Sequence, residues 1–272
     1  MKRGRPPKKP PKKARRKVQA PNTASGYLAW SRDPAVSLFA VLPLWILYEG
    51  LRLSLTPDEY NGAEALMTQS VGALGPLAIP LLRVAFALTV FGAAFSLWRR
   101  HIPWARVAAV IALEGTVYGL MLGPLAAVLA SSSHRLLGPD PAGDGPVGGE
   151  PAGAEPAGDL AADLVASLGA GIFEELVFRL ALVSVLCLLL ARACDALRVS
   201  RLPALIVGVA VSAVVFSAFH HLGPGAPPFE RGVFLFRAAA GLLLGLLFVV
   251  RGFGVVVYTH AVYDIHYYLT HP

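Results

Sequence analysis

The sequence predicts an all-α, polytopic helical membrane protein with about seven transmembrane helices. The chain of 272 residues is 55% hydrophobic and only 15% charged, whereas a soluble domain carries about 25% charged residues. Its mean hydropathy is +0.58, and its apolar stretches repeatedly approach the roughly 20 residues that cross a bilayer. These observations exclude an ordinary soluble domain and predict a protein embedded in membrane lipid.

The net charge of +7 comes from the N-terminal tail. Ten of the 24 Lys and Arg residues lie in Met1–Lys17, and the remaining 14 basic and 17 acidic residues leave the rest of the chain at −3. A segment so rich in Lys, Arg and Pro cannot bury a core, so we expect residues 1–25 to form a disordered cytoplasmic tail. The first apolar stretch follows closely, which favours a topology signal that touches lipid over a nucleic-acid arm. No nucleic-acid partner is expected.

Seven apolar stretches are predicted to span the membrane. They are Ala35–Leu53, Val71–Trp98, Val107–Leu129, Leu160–Ala191, Leu202–Phe219, Phe234–Val250 and Phe253–Leu269. Residues 26–137 would hold the first three, 138–158 a flexible loop rich in Pro and Gly, and 159–272 the other four. The fourth stretch is longer than a bilayer requires, so we expect it to be tilted, partly interfacial, or kinked near Gly169 and Gly171.

The positions of the basic residues predict the orientation of the chain. They cluster in the tail, at 99–106, at 192–201 and at Arg251, and acidic loops alternate with them. The positive-inside rule then places the N-terminus in the cytoplasm and the C-terminus outside, as expected for a bacterial-type inner or cell membrane.

The fourth predicted span carries two carboxylates and a guanidinium. Even mild insertion scales assign each such group roughly 2.5–3.5 kcal/mol at the bilayer centre, so they must face protein or water. Glu175 and Arg179 are at i,i+4 spacing and can form an ion pair, whereas Glu174 is not at that spacing. Glu174 is therefore predicted to serve as a general base. The alternative is that all three groups form a buried network that only holds helices together.

Two later spans supply imidazoles. Phe216 and His220 lie one turn apart at the end of the fifth span, where His221 is a competing candidate. His260 and Asp264 lie one turn apart inside the seventh span, and Asp264 could orient the His260 ring or form a polar clamp with it. The alternatives are that His220 is an ordinary interface residue and that His260 and Asp264 form a hydrogen bond that only supports packing.

These groups suit the hydrolysis of a carbonyl compound. A glutamate and two histidines can activate a water molecule and stabilise an oxyanion. Glu174, His220 and His260 also supply the ligand types of a zinc site, two imidazoles and a carboxylate, and the sequence leaves both possibilities open. The chain has no His-Glu-x-x-His motif and no Gly-x-Ser-Gly motif within a span. It therefore fits zinc-dependent site-2-type and rhomboid-type proteases less well.

Three motifs on separate predicted helices resemble those of the CPBP family of intramembrane proteases. They are Glu-Glu-x-x-x-Arg at 174–179, Phe-x-x-x-His at 216–220 and His-x-x-x-Asp at 260–264. The family includes the CAAX prenyl endopeptidases of the Rce1 type and bacterial proteins linked to bacteriocin processing and self-immunity. The resemblance covers about Asp159–Leu269 and does not extend to the first three spans. Asp264 stands where the CAAX enzymes usually have Asn.

The resemblance implies an endopeptidase that cuts a prenylated CAAX-type or leader-peptide-like substrate at the membrane. It implies that Glu174 and His220 activate the attacking water, that Arg179 holds Glu175, and that His260 and Asp264 bind the oxyanion or hold the site. Members are commonly called metalloproteases, although a metal-free glutamate mechanism is also argued for them. The alternatives are a non-enzymatic immunity or scaffold protein of the same fold, and a transporter with the polar residues along its path.

The resemblance and the charge-based topology conflict on one point. CAAX proteases open their site to the cytosol, whereas the predicted topology places His220 at the outer end of the fifth span. Three ways to remove the conflict are open: the fourth segment contains a re-entrant turn, one span is miscounted, or the site faces outward.

Overall fold

The structure, a computed structural model, describes residues 23–53, 68, 71–138, 160–222 and 228–271. Within these ranges all regular structure is helical, which confirms the predicted fold class. The helices are α1 (Thr23–Trp30), α2 (Pro34–Arg52), α3 (Ala78–Arg100), α4 (Trp104–Leu137), α5 (Leu160–Ala196), α6 (Leu202–Phe219), α7 (Arg231–Arg251) and α8 (Phe253–Thr270).

Six of the described helices, α2 to α7, are long and apolar enough to cross a membrane. The seventh predicted span forms a helix at the expected place, α8, but it is not among the six. Its sequence includes Thr259, His260 and Asp264, which make it more polar than its neighbours. The number of candidate spans is therefore six, against the seven expected.

α8 occupies the centre of the bundle and packs against α2, α4, α5 and α7. Its residues Val255, Val256 and Val257 are completely buried. Glycines allow neighbouring helices to approach it closely. A Cβ atom on Gly119 of α4 would lie 2.8 Å from the Thr259 carbonyl oxygen, and one on Gly171 of α5 would lie 2.7 Å from the Ala261 Cβ.

α5 is continuous over its full length, but its middle is wound as a π-helix at Ala170–Val183. The change begins directly after Gly169, close to where the sequence predicted a kink. The described helix contains no re-entrant turn. π-helical segments are rare and often occur at functional sites. Here the π-helical segment contains Glu174, Glu175 and Arg179.

α5, α6 and α7 form an antiparallel series. The Ser212 hydroxyl of α6 donates to the Phe178 carbonyl oxygen of α5 at 3.0 Å, and the Ser217 hydroxyl donates to the Phe234 carbonyl oxygen of α7 at 2.7 Å. These contacts bring the C-terminal end of α6, and hence His220, beside the π-helical segment.

The start of α2 is fixed by Asp33. Its carboxylate accepts hydrogen bonds from the backbone N–H groups of Ala35 and Val36, and Pro34 occupies the first helical turn. Arg100, at the end of α3, approaches the same carboxylate with Nη1 2.5 Å from Oδ2. The hydrogen bond from Arg100 holds the pKa of Asp33 below its ordinary value. One carboxylate thus caps α2 and ties α3 to it.

A second polar cluster joins α1, α4 and the end of α7. Arg251 donates two hydrogen bonds to Glu114, from Nε at 2.6 Å and from Nη2 at 2.7 Å. The Tyr27 hydroxyl also donates to Glu114, and the Arg251 guanidinium lies 5.1 Å from the Tyr27 ring centroid. Glu114, inside α4, therefore holds the α7–α8 turn in place.

The predicted domain boundaries remain predictions. The tail at 1–25 and the loop at 138–158 lie almost entirely outside the described residues. Glu49 and Arg52, near the end of α2, form an ion pair at 3.6 Å.

Candidate active site

All six residues selected from the three motifs lie together inside the bundle. The π-helical segment of α5 supplies Glu174, Glu175 and Arg179, the end of α6 supplies His220, and α8 supplies His260 and Asp264. Their side chains are each between 0% and 6% exposed. The sequence therefore identified residues that the fold brings into one cluster.

Glu175 connects two of the motifs. Its Oε1 atom lies 2.9 Å from Nη1 of Arg179 and accepts a hydrogen bond from Nδ1 of His260 at 2.6 Å. The contact with Arg179 is an ion pair without hydrogen-bond geometry, since neither Nη atom is directed at an acceptor in the described residues. The bond to His260 was not predicted from the sequence, because it joins residues 85 positions apart.

The two histidines present the same ring nitrogen to Glu174. His220 donates from Nδ1 to the Phe216 carbonyl oxygen at 2.7 Å, one helical turn back. With Nδ1 of each ring occupied by a donated hydrogen bond, the neutral tautomer leaves the Nε2 lone pair available. Nε2 lies 3.6 Å from the Glu174 Oε2 atom for His220 and 3.9 Å for His260. The Glu174 Oε2 atom and the two Nε2 atoms thus converge.

Asp264 lies near the same Nε2 atom of His260 that faces Glu174. Its Oδ2 atom is 3.6 Å from His260 Nε2, which is too long for a hydrogen bond, and Oδ1 has no hydrogen-bond partner among the described residues. In this arrangement Glu175 rather than Asp264 orients the His260 ring. His221 packs against the rings of Phe229 and Phe234, at 5.3 and 6.1 Å between centroids.

Phe216, one turn before His220, contacts three side chains of the site. Its ring lies 4.2 Å from the Arg179 guanidinium, 4.8 Å from the His220 ring and 6.1 Å from the His260 ring, measured between centres. A desolvated contact between a guanidinium and an aromatic face is worth about 2 kcal/mol. Phe216 therefore offsets part of the cost of burying Arg179 and separates it from the two imidazoles.

A cavity of about 30 Å³ adjoins the cluster. A water molecule requires roughly 10–15 Å³ measured in this way, so the cavity has room for about two. His220, His260 and Asp264 are among its lining residues. The remaining lining residues are Leu122, Phe216, Phe236, Arg237, Ala240, Leu244 and Tyr263.

Arg237 was missed in the sequence. It lies in α7, within the apolar stretch Phe234–Val250, and is only 6% exposed. A buried guanidinium in an apolar span is itself a reason to suspect a functional site, so a search of each span for ionisable residues would have found it. Tyr263, next to Asp264, also lines the cavity and was not selected.

A zinc ion held by Glu174, His220 and His260 is one of the two possibilities that the sequence leaves open. Zinc ligands at about 2.0–2.1 Å in tetrahedral geometry lie about 3.3–3.4 Å from each other. The Glu174 oxygen is farther than this from the His220 and His260 nitrogens, at 3.6 and 3.9 Å. In the part of the chain that the structure covers, no group of three His, Cys, Asp or Glu side chains is arranged to hold a metal ion. The residues therefore do not fit a metal as they stand.

The fold and the cluster define a helical membrane protein with a buried glutamate–histidine site. Residues 156–266 match the family model described as type II CAAX prenyl endopeptidase Rce1-like. This match confirms the resemblance drawn from the three motifs and covers 111 of the 272 residues. This segment is therefore similar to a family of CAAX prenyl endopeptidases. A comparison with curated proteins and with solved structures finds no match.

Proposed function

We propose that the protein is an intramembrane endopeptidase that hydrolyses a peptide bond in a membrane-associated substrate. The observation that carries this proposal is the convergence of the Glu174 carboxylate with Nε2 of His220 and His260 beside a cavity large enough for water. Prenylated CAAX-type and leader-peptide-like chains are the proposed substrate classes, on the strength of the family match.

Glu174 and His220 activate the water. A water molecule between the Glu174 Oε2 and the His220 Nε2 atoms donates hydrogen bonds to both acceptors, which leaves its lone pair directed at the scissile carbonyl carbon. Glu174 takes the proton as the carbon–oxygen bond forms. The same proton then passes to the amide nitrogen as the carbon–nitrogen bond breaks, so the carboxylate is regenerated.

The oxyanion is stabilised from the cavity wall. Arg237 lines the same cavity as the two histidines and supplies a positive charge for the carbonyl oxygen as it becomes negative. A positive group preorganised in a water-poor site stabilises such charge strongly, because it needs no reorganisation during the reaction. Asp264 also lines the cavity.

Glu175 and Arg179 act through position. Glu175 fixes the tautomer of His260 by accepting its Nδ1–H, and Arg179 neutralises Glu175. This chain of contacts ties α5 to α8 and keeps the His260 Nε2 atom directed at Glu174. No step requires a metal ion.

The test is cleavage of defined peptides by the purified protein in liposomes. Wild type is compared with Glu174→Gln and His220→Ala, using mass spectrometry of prenylated and leader-type peptides. Loss of a general base lowers the rate by about 10²–10⁴-fold. Glu49→Gln is the matched control, because Glu49 is partly exposed and pairs with Arg52 away from the cluster. It should retain wild-type cleavage.

Equal cleavage by wild type and Glu174→Gln would refute the mechanism. If wild type captures the peptides but leaves them intact, the protein is a scaffold of the same fold and not a peptidase.

A further inference from the structure

We infer that the cavity beside the cluster is a size-selective pocket for a small, uncharged substrate side chain next to the scissile bond, and that Ala240 sets its size limit. This inference rests on the proposed function and deepens it by naming the side chains that the site accepts. Three observations carry it: the residues that form the apolar part of the cavity, the space that they leave, and the helix contacts that hold its walls in place.

The apolar part of the cavity extends away from the reacting groups along α7. Arg237, Ala240 and Leu244 all line the cavity, and their spacing places them near one face of the helix. At 1.5 Å per residue, Ala240 and Leu244 lie about 4.5 and 10.5 Å beyond Arg237 along the helix axis. Leu122 of α4 lines the same cavity and belongs with Ala240 and Leu244 to one buried apolar cluster. The pocket is therefore polar at one end and apolar at the other.

Ala240 has the smallest side chain among the described residues that line the cavity. Each of the others has a side chain at least as large as that of aspartate. Ala240 is also buried, at 7% exposure. A larger side chain at this position would therefore take up part of the cavity, so the alanine is what keeps the apolar end open.

The space that remains for a substrate is small. The cavity of about 30 Å³ has room for about two water molecules. The attacking water of the proposed mechanism occupies one of these places. The remainder accommodates a hydrogen atom, a methyl group or a hydroxymethyl group, whereas an isobutyl or benzyl group does not fit. A charged side chain is excluded as well, because it would lose its hydration against Leu122 and Leu244. Glycine, alanine and serine are therefore expected at this position of the substrate.

Close helix contacts hold the walls of the pocket in place. A Cβ atom on Gly123 of α4 would lie 2.9 Å from Cε2 of Tyr263, and one on Gly241 of α7 would lie 3.1 Å from Cδ1 of Phe216. Tyr263 and Phe216 both line the cavity. Moving α4 away from α8, or α7 away from α6, would open gaps at these contacts and forfeit dispersion energy. The pocket therefore selects by size and does not readily expand around a larger side chain.

Cleavage of a peptide series tests this inference. The peptides carry glycine, alanine, valine, leucine or phenylalanine at one of the two residues that flank the scissile bond and are otherwise identical. The kcat/KM of each is measured with the purified full-length protein in liposomes. One methylene group in a hydrophobic pocket changes kcat/KM by about 10–200-fold, so we expect alanine to be favoured over leucine by about tenfold or more at one of the two positions. Equal rates for all side chains at both positions would overturn the inference.

Two variants change the pocket in opposite directions. Ala240→Val narrows it and should lower the ratio of kcat/KM for alanine to that for glycine, by about tenfold or more. Leu244→Ala widens it and should raise the ratio for leucine to that for alanine by a similar factor. A ratio between two peptides does not depend on the folded fraction of the protein, and Leu244→Ala keeps the test decisive if Ala240→Val does not fold.

Leu246→Ala is the matched control for Leu244→Ala. It makes the same change in the same helix, at a position that is 47% exposed and does not line the cavity. Its ratios should equal those of wild type. If the ratios of Leu244→Ala also stay within about twofold of wild type, the apolar end of the cavity does not receive a substrate side chain, and the inference is wrong.

Peptide binding distinguishes failure of this inference from failure of the proposed function. Dissociation constants of the same peptides are measured for Glu174→Gln, alone and combined with Leu244→Ala. A preference for small side chains that Leu244→Ala shifts toward leucine supports the pocket, and if wild type cleaves none of the peptides, that result rejects only the proposed function. Cleavage without any size preference would overturn the inference and leave the peptidase standing. Neither cleavage nor size-dependent binding would reject both.

Discussion

Gly171→Ala should impair the site more than it destabilises the fold. An added Cβ would lie 2.7 Å from the Ala261 Cβ and 2.8 Å from the Ala261 backbone nitrogen, whereas ordinary contact begins at 3.4 Å. The difference, 3.4 − 2.7, requires α5 and α8 to separate by at least 0.7 Å at this point. Overpacking of this kind costs roughly 1–3 kcal/mol.

Gly171→Ala has two opposing effects on stability, whereas its effect on activity is not offset. Replacing glycine with alanine inside a helix contributes up to about 1 kcal/mol, which offsets part of the overpacking cost. The displacement of α8 has no such compensation, because His260 adjoins Ala261 and depends on a 2.6 Å bond to Glu175. A misplacement of about 1 Å at a catalytic group can cost up to about 10²-fold in rate.

Gly92→Ala is the matched control for this prediction. Gly92 lies inside α3, and a Cβ there would meet nothing within 4 Å. Cleavage rates and melting temperatures of both variants are measured in the same detergent. We expect normal activity and undiminished stability for Gly92→Ala, and a rate about tenfold or more below wild type for Gly171→Ala.

Adding Ala261→Gly to Gly171→Ala should restore only part of the activity. It removes the closest contact, but the backbone nitrogen and Cα of residue 261 remain at 2.8 and 3.0 Å from the new Cβ. If Gly171→Ala and Gly92→Ala have the same rate within about twofold, the close approach of α5 and α8 does not position the site, and the reasoning is refuted.

Three further predictions concern charge and metal. Arg179→Met should lower the melting temperature strongly, because it leaves Glu175 buried without its cation at a cost of about 3–5 kcal/mol. Arg201→Met, which removes an exposed ion pair, should change the melting temperature little. Equal effects of the two variants would contradict the burial of the Glu175–Arg179 pair. Asp33→Asn keeps an acceptor that can cap α2 but removes the charge paired with Arg100. Because the pKa of Asp33 is lowered on folding, this stabilisation is complete above the unfolded value of about 3.9 and is lost as the pH falls through the lowered value. The difference in melting temperature between wild type and Asp33→Asn should therefore be present near neutral pH and shrink in acid, and a constant difference would count against it. Cleavage should survive treatment with a strong chelator, and activity that is lost and then restored by zinc would show that the site adapts to a metal.

The sequence by itself located the helices, although α8 is not among the six candidate spans in the described residues. Crossing a bilayer requires a long apolar stretch whose backbone hydrogen bonds lie within the helix. Such a stretch can be recognised in the sequence, because it depends only on residues close together in the chain. The predicted fifth span, Leu202–Phe219, coincides with α6. The sixth and seventh predicted spans differ from α7 and α8 by three residues or fewer at each end.

The residues of the site could also be selected from the sequence, but their connections could not. Glu175 and Arg179 are one turn apart, so their pairing follows from helical spacing. The bond between Glu175 and His260 depends on the packing of α5 against α8, and spacing along the chain carries no information about it. For the same reason the sequence offered Asp264, one turn along α8, as a group that could orient the His260 ring or form a polar clamp with it, whereas in the structure Nδ1 of His260 lies against Glu175.

Only the tertiary structure determines which charged side chains lie together within the bundle. The π-helical winding of α5, the close approach of Gly171 to Ala261 and the inclusion of Arg237 in the cavity wall all arise from contacts between helices. The ionisable groups could be selected from the sequence, because burying each of them in lipid is costly and they are therefore rare in apolar spans. Their convergence depends on helix packing, which no single stretch of the chain encodes.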